Sequence, residues 1–216
     1  MRTFCSTSGN TNFTNGAEKD LSNKFEPESF RSFLKENLSK KRFVHSLNVA
    51  DMAKELAGIY GADTEKAYFA GLVHDIAKEM PRSAQSSLAA RCKLNVSPIE
   101  LGSPPLLHAI AGAQLLIERF GVDDEEVLLA VRYHTVAAGG MSKLAQIIYL
   151  ADLTSADRDY KDVKKMRKYA RTSLEKGMFE ALRFALSDNA AKGSTIPVCT
   201  VEAYNEFAAK VKAANG

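Results

Sequence analysis

Ala70-Gly71-Leu72-Val73-His74-Asp75-Ile76-Ala77-Lys78 ends an apolar helical run on an imidazole beside a carboxylate. Two such neighbours at a helix end can grip one metal ion. The chain has only four histidines, His45, His74, His108 and His134, and each is expected in its own helix with apolar residues on the same face. His45 shares a face with Val49, Met52 and Leu56, His74 with Ala67 and Ala70, His108 with Ala111, Gly112 and Leu115, and His134 with Val127 and Ala130. A fifth helix places Asp152 on the stripe of Ala145 and Ile148. An unpaired carboxylate in an apolar interior is too costly to keep ionised, so an inward Asp calls for a cation. One histidine on an apolar face is usually a core residue hydrogen-bonded to backbone. Four together, with none spent on the surface, form a ligand set suited to iron, zinc or manganese.

The pattern around these residues is helix after helix. Pro27 fits a first-turn position and opens a helix to about Leu38; another spans Lys40 to Tyr60, closed by Gly61 as a left-handed cap. Asp63 caps a helix that ends near the His-Asp pair. Further helices are expected at about Ser83 to Lys93, Pro105 to Phe120 stopped by Gly121, Asp124 to Thr135, Ser142 to Leu153, Val163 to Ala191 with a break, and Thr200 to Ala213. No β alternation exceeds four residues and no internal repeat occurs. The expected fold is an all-α bundle with the metal site between helices, as metal-binding bundles generally arrange it.

Composition agrees with one enzyme-sized domain. The net charge of +3 over 216 residues is too small to argue for nucleic acid. No apolar run is long enough for a membrane span. Cys5, Cys92 and Cys199 have no metal or redox spacing and read as reduced thiols in a cytoplasmic protein. Residues 1–24, rich in Ser, Thr, Asn and Gly, read as a disordered tail, with the domain over 25–216.

Four stretches carry a family resemblance: Arg42-Phe43-Val44-His45-Ser46-Leu47-Asn48-Val49-Ala50, the His-Asp stretch above, Tyr133-His134-Thr135 with Gly140-Met141-Ser142-Lys143-Leu144, and Ile147-Ile148-Tyr149-Leu150-Ala151-Asp152. In this order they resemble the HD superfamily of metal-dependent phosphohydrolases, in its YqeK-like branch of symmetrical diadenosine tetraphosphate hydrolases. The likeness runs from about Phe25 to the C-terminus. It implies an HD-type helical bundle that splits diadenosine tetraphosphate, or a related dinucleoside polyphosphate, into two ADP by attack of a metal-bound hydroxide on phosphorus. Other HD activities, a nucleotidase or cyclic-dinucleotide phosphodiesterase, and a non-catalytic metal-stapled RNA or ribosome partner are the alternatives. Besides the nucleotide substrate, no membrane or nucleic-acid partner is expected, and a homodimer is left open.

The resemblance also implies residue roles. His45, His74, Asp75 and Asp152 hold the metal, with iron expected. Asp75 bridges to a second ion held by His108 and His134, or those two histidines contact the phosphates directly. Asp75, Lys78, His108 and His134 form the catalytic set. Arg42, His45 and Arg158, with Lys78, His108 and His134, face the substrate, since a guanidinium forks onto phosphate oxygens where a lysine acts as a point charge. Thr195, Ile196, Pro197, Val198, Cys199 and Thr200 belong to a loop over the nucleotide, with Thr200 expected to cap the last helix. The basic series Arg158, Lys161, Lys164, Lys165, Arg167, Lys168 and Arg171 reads as a solvated helix face with a steering role. One departure stands out: relatives usually carry Glu-Pro where this chain has Ser155-Ala156, so Arg158 is expected to lack an internal partner.

Overall fold

Side-chain caps start most of the helices. In the computed structural model, which describes residues 27–214, Ser39 Oγ accepts from the Arg42 amide, Asp63 Oδ1 from those of Glu65 and Lys66, and Asp124 Oδ1 from Val127. Each satisfies amides that the first helical turn leaves without a partner. The elements they and their neighbours open are α1 (Pro27–Asn37), α2 (Lys40–Tyr60), α3 (Thr64–Val73), α4 (Arg82–Arg91), α5 (Pro98–Leu101), α6 (Leu107–Phe120), α7 (Glu125–Tyr133), α8 (Lys143–Thr154), α9 (Val163–Thr172), α10 (Leu174–Ala191) and α11 (Val198–Ala213). Gly61 and Gly121 close α2 and α6 at φ 62° and 64°, in the left-handed region that glycine enters without steric cost. Among the described residues there is no strand and no helix long and apolar enough to cross a membrane. The expected tail lies outside them.

The helix α2 is the axis of the bundle. It packs along α3 and α8, α7 lies between α6 and α8, α4 rests on α6, and α10 backs onto α8, α9 and α11. The α2–α3 contact depends on Gly71, where a Cβ would stand 2.9 Å from the Ala50 Cα and 3.0 Å from the Val49 carbonyl oxygen. The apolar faces read from the sequence are inside: Val49, Leu56, Ala67, Ala70, Ala111, Val127, Ala130, Ala145 and Ile148 are all buried.

Several boundaries differ from expectation for local reasons. The segment before α6 is not part of it, because Pro104 and Pro105 hold a 3-10 turn over Pro104–Leu106 before α6 begins. The short α5 was not read at all; a Ser97–Glu100 capping box and Pro98 build it. The break in the long C-terminal segment falls at Ser173, whose extended backbone and hydroxyl start α10. Finally, Thr200 does not cap α11. Pro197 sits at the cap position and α11 starts at Val198, which leaves Thr200 buried in the first turn.

Candidate metal centre

Five elements converge on one buried point. His45 comes from the second turn of α2, His108 from the first turn of α6, and Asp152 from the last turn of α8. His74 and His134 are not inside helices but at the C-terminal caps of α3 and α7, where the chain turns away. The rings form a chain: His45 to His74 at 5.2 Å between centroids, His74 to His134 at 5.0 Å and His134 to His108 at 5.1 Å.

The turn that carries Asp75 is braced from behind. Gln85 of α4, buried, donates from its amide nitrogen towards the carbonyls of Ala77 at 3.1 Å, Met80 at 3.1 Å and Lys78 at 3.3 Å. The Asp75 carboxylate thereby sits at the centre of the cluster. Its Oδ1 is 3.2 Å from His108 Nε2, 3.5 Å from His134 Nε2 and 3.7 Å from Lys78 Nζ; its Oδ2 is 3.2 Å from Arg42 Nη1. Asp152 Oδ1 lies 3.0 Å from His45 Nε2 and 3.9 Å from His74 Nε2.

The electrostatics follow from burial set against these partners. Burial drives the His74 imidazole down to about 4, so it is neutral at pH 7 and its nitrogen lone pair is free for a ligand bond. Burial lowers His108 and the Lys78 ammonium as well. Burial alone would raise Asp75 and Asp152, but imidazoles outweigh it, joined by Lys78 at Asp75 and by Arg158 at Asp152. Both carboxyls fall below their ordinary range and stay ionised.

Within this cluster, His45 Nε2, His74 Nε2 and Asp75 Oδ1 are buried without a hydrogen-bond partner. Unsatisfied buried donors and acceptors are rare, and imidazole nitrogens that face carboxylate oxygens fit a cation between them. Two overlapping trios have their ligand atoms within 4.8 Å of one another: His45, His74 and Asp152, and His74, Asp75 and His134. His74 is common to both. His108 belongs to neither, but it touches Asp75, and its Nε2 lies 3.2 Å from His134 Nε2 and 2.9 Å from Lys78 Nζ.

Two hollows flank the cluster. One, of about 280 Å³, is lined by Lys41, Arg42, His45, Asp157, Arg158, Asp159 and Tyr160. The other, of about 510 Å³, lies between Ile99–Leu106, Thr135, Val136, Tyr149 and the loop Ser194–Pro197 with Thr200. The hydroxyls of Thr135 and Thr200 are buried there without partners, and Ser103 Oγ meets Thr195 Oγ1 at 2.8 Å to join the two walls. Of the loop residues read from the sequence, Thr195, Ile196, Pro197 and Thr200 line this cavity. Val198 and Cys199 do not, since the first turn of α11 rotates them away and leaves Val198 61% exposed.

Two readings of the basic segment are overturned. Arg158 has an internal partner: its guanidinium bonds the Asp152 carboxylate, and Nε donates to the Asp152 carbonyl at 2.8 Å. Arg167 is not a solvated charge. It donates to the carbonyls of Thr154, Ser155 and Arg158 at 3.0, 2.7 and 2.8 Å and so ties down the loop after α8. Sequence reasoning also missed Asp157, whose Oδ2 lies 2.8 Å from His45 Nδ1. Only its place next to Arg158 could have drawn attention to it.

A family model for the HD domain matches residues 42–157, a span that contains all of the cluster. The chain belongs to the HD-domain family. HD domains bind divalent metal, and in this HD protein the two trios offer the donors. It is 36% identical over 150 residues to a Bacillus subtilis protein named symmetrical bis(5'-nucleosyl)-tetraphosphatase, covering 69% of this chain and 80% of that one. A Halalkalibacterium halodurans protein of the same name is 35% identical over 174 residues, 81% of this chain and 92% of the other. In fold, this HD protein matches a Clostridium acetobutylicum crystal structure described as a predicted HD superfamily hydrolase involved in NAD metabolism. The TM-score is 0.81 at 36% identity, covering 86% of this chain and 98% of that one.

Proposed function

We propose that this protein is a metal-dependent hydrolase that splits diadenosine tetraphosphate, or a related dinucleoside polyphosphate, into two ADP, with iron as its resident metal. The observation that carries the reading is the buried cluster of unpartnered ligand atoms, ringed by Arg42, Lys78 and Arg158, with a nucleoside-sized cavity whose wall includes Thr135, the residue after His134. The names of the relatives point to the substrate.

In this reading His45, His74, Asp75 and Asp152 would hold the metal, and Asp75, His108 and His134 would offer donors to a second ion. A bound metal lowers the pKa of its water towards about 7 and stabilises charge on phosphate oxygens. The remaining work belongs to the chain. Arg42 and Arg158 fork onto phosphate oxygens, and Lys78, held between Asp75 and His108, adds a point charge on the same wall. The 510 Å³ cavity lies within the usual range for small-molecule pockets, about 300–1,000 Å³, and takes one nucleoside. There the Thr135 and Thr200 hydroxyls find partners on the base or ribose. Hydrolysis consumes one water and breaks one anhydride bond between the central phosphates, which leaves two phosphates on each adenosine.

Chromatography of products from a nucleotide panel tests this. ADP alone from diadenosine tetraphosphate is expected. AMP with ATP would place the phosphate chain in another register, and preferential cleavage of mononucleotides or cyclic dinucleotides would replace this reading with another HD chemistry.

A further inference from the structure

An imidazole that serves a metal has one nitrogen facing in and one facing out, and the partner of the outer nitrogen fixes the ring and its tautomer. His74 Nδ1 donates to the Gly71 carbonyl at 2.7 Å, and His134 Nδ1 donates to the Val131 carbonyl at 2.7 Å. Both acceptors lie three residues back on the helix that each histidine closes, so these two rings are held locally. His45 lies inside α2, and its Nδ1 instead meets Asp157 Oδ2 at 2.8 Å, 112 residues further along.

Asp157 is itself clamped. Its second oxygen accepts from Asn48 Nδ2 at 3.1 Å, so two side chains of α2 engage both carboxylate oxygens. The loop that presents it is tied down by Arg167, and the next residue, Arg158, reaches the Asp152 carboxylate. One tethered loop thus serves two members of the same trio. An ionised carboxylate only accepts hydrogen bonds, so a proton sits on Nδ1 towards Asp157, and a cation that replaced the proton Nε2 would otherwise share with Asp152, 3.0 Å away, would take the Nε2 lone pair.

We infer that Asp157 is a positioning residue for the metal centre: its carboxylate holds the His45 ring and tautomer so that Nε2 is presented to the ion. This rests on the cluster being a metal centre, as in the function proposed above, and not on which nucleotide is cleaved. Outer partners of this kind typically account for 10–100-fold in metal affinity.

Two readouts test it. Mn²⁺ affinity, followed by the electron paramagnetic resonance of the free ion, should fall 10–100-fold in Asp157→Ala and by less in Asp157→Asn, which keeps an uncharged acceptor. In the zinc-loaded protein, the His45 Nδ1 proton should resonate far downfield and exchange slowly in wild type, and lose both properties in Asp157→Ala. If Asp157→Ala does not fold, the near-isosteric Asp157→Asn carries the test. Wild-type affinity in the folded variants, or weaker binding with the His45 signal unchanged, would overturn the proposal. A wild-type protein that binds no Mn²⁺ would overturn the metal centre as well, whereas intact metal binding without diadenosine tetraphosphate cleavage would remove the substrate reading alone.

Discussion

Arg158 shows how one side chain changes meaning once its neighbours are known. With Ser155-Ala156 before it, the sequence suggested an arginine without an internal partner, yet its guanidinium holds the Asp152 carboxylate. Ser155 is fully buried, and its carbonyl accepts from Arg167. Truncation to Arg158→Ala removes charge-assisted hydrogen bonds worth about 1.5–3 kcal/mol, so catalytic efficiency should fall roughly tenfold or more in steady-state kinetics. Metal content should be unchanged, because Arg158 supplies no ligand atom. Loss of metal together with activity would show that the arginine's main task is to hold Asp152. At this scale the four histidines and two aspartates were legible because so few residue types bind metal. Asp157 and Gln85 were not, since an acid in a loop and a glutamine on a helix have ordinary surface roles unless the fold brings a partner to them.

Among the helices, the α2–α3 contact sets the distance between His45 and His74. A methyl group at Gly71 would meet backbone rather than a movable side chain, so Gly71→Ala should separate the helices at a cost of about 1–3 kcal/mol. Urea unfolding would read this as a lower midpoint, and metal affinity should fall with it because His45 and His74, two of the proposed ligands, straddle the contact. An unchanged midpoint would mean that α3 slides without cost. The Asp124 cap gives a pH dependence. Burial raises its carboxyl, but the hydrogen bonds from Lys66 and from the Val127 amide outweigh burial and hold it below the ordinary 3.8. A depressed folded value means the contribution is complete above about 3.8 and is lost as pH falls through the folded value. The stability advantage of wild type over Asp124→Asn should therefore be constant from pH 7 to 5 and shrink below 4 in thermal melts; an advantage that grows on acidification would contradict the pairing. Element ends were legible at the caps Asp63, Gly61, Asp124 and Ser142, while the Ser97–Glu100 capping box of the short α5 went unread. They were not at Pro104–Leu106 and Pro197, where proline permits either a tight turn or a helix start and the surrounding packing decides.

Across the whole molecule, the bundle's purpose is to bring residues 33 to 112 positions apart to within 4 Å of each other, as in Arg42–Asp75 and His45–Asp157. Helical periodicity predicted that such a centre exists between helices. It could not predict the two hollows on either side, because cavities arise where helices diverge and no local pattern records that. The central claim is that this protein, with a metal held by this cluster, cleaves diadenosine tetraphosphate between its central phosphates. Anaerobically purified protein should therefore carry tightly held iron, lose hydrolysis when the metal is stripped by chelator, and regain it on adding back Fe²⁺, with ADP as the only nucleotide product. Full activity of the stripped protein in excess chelator, or AMP and ATP as products of the restored enzyme, would contradict it.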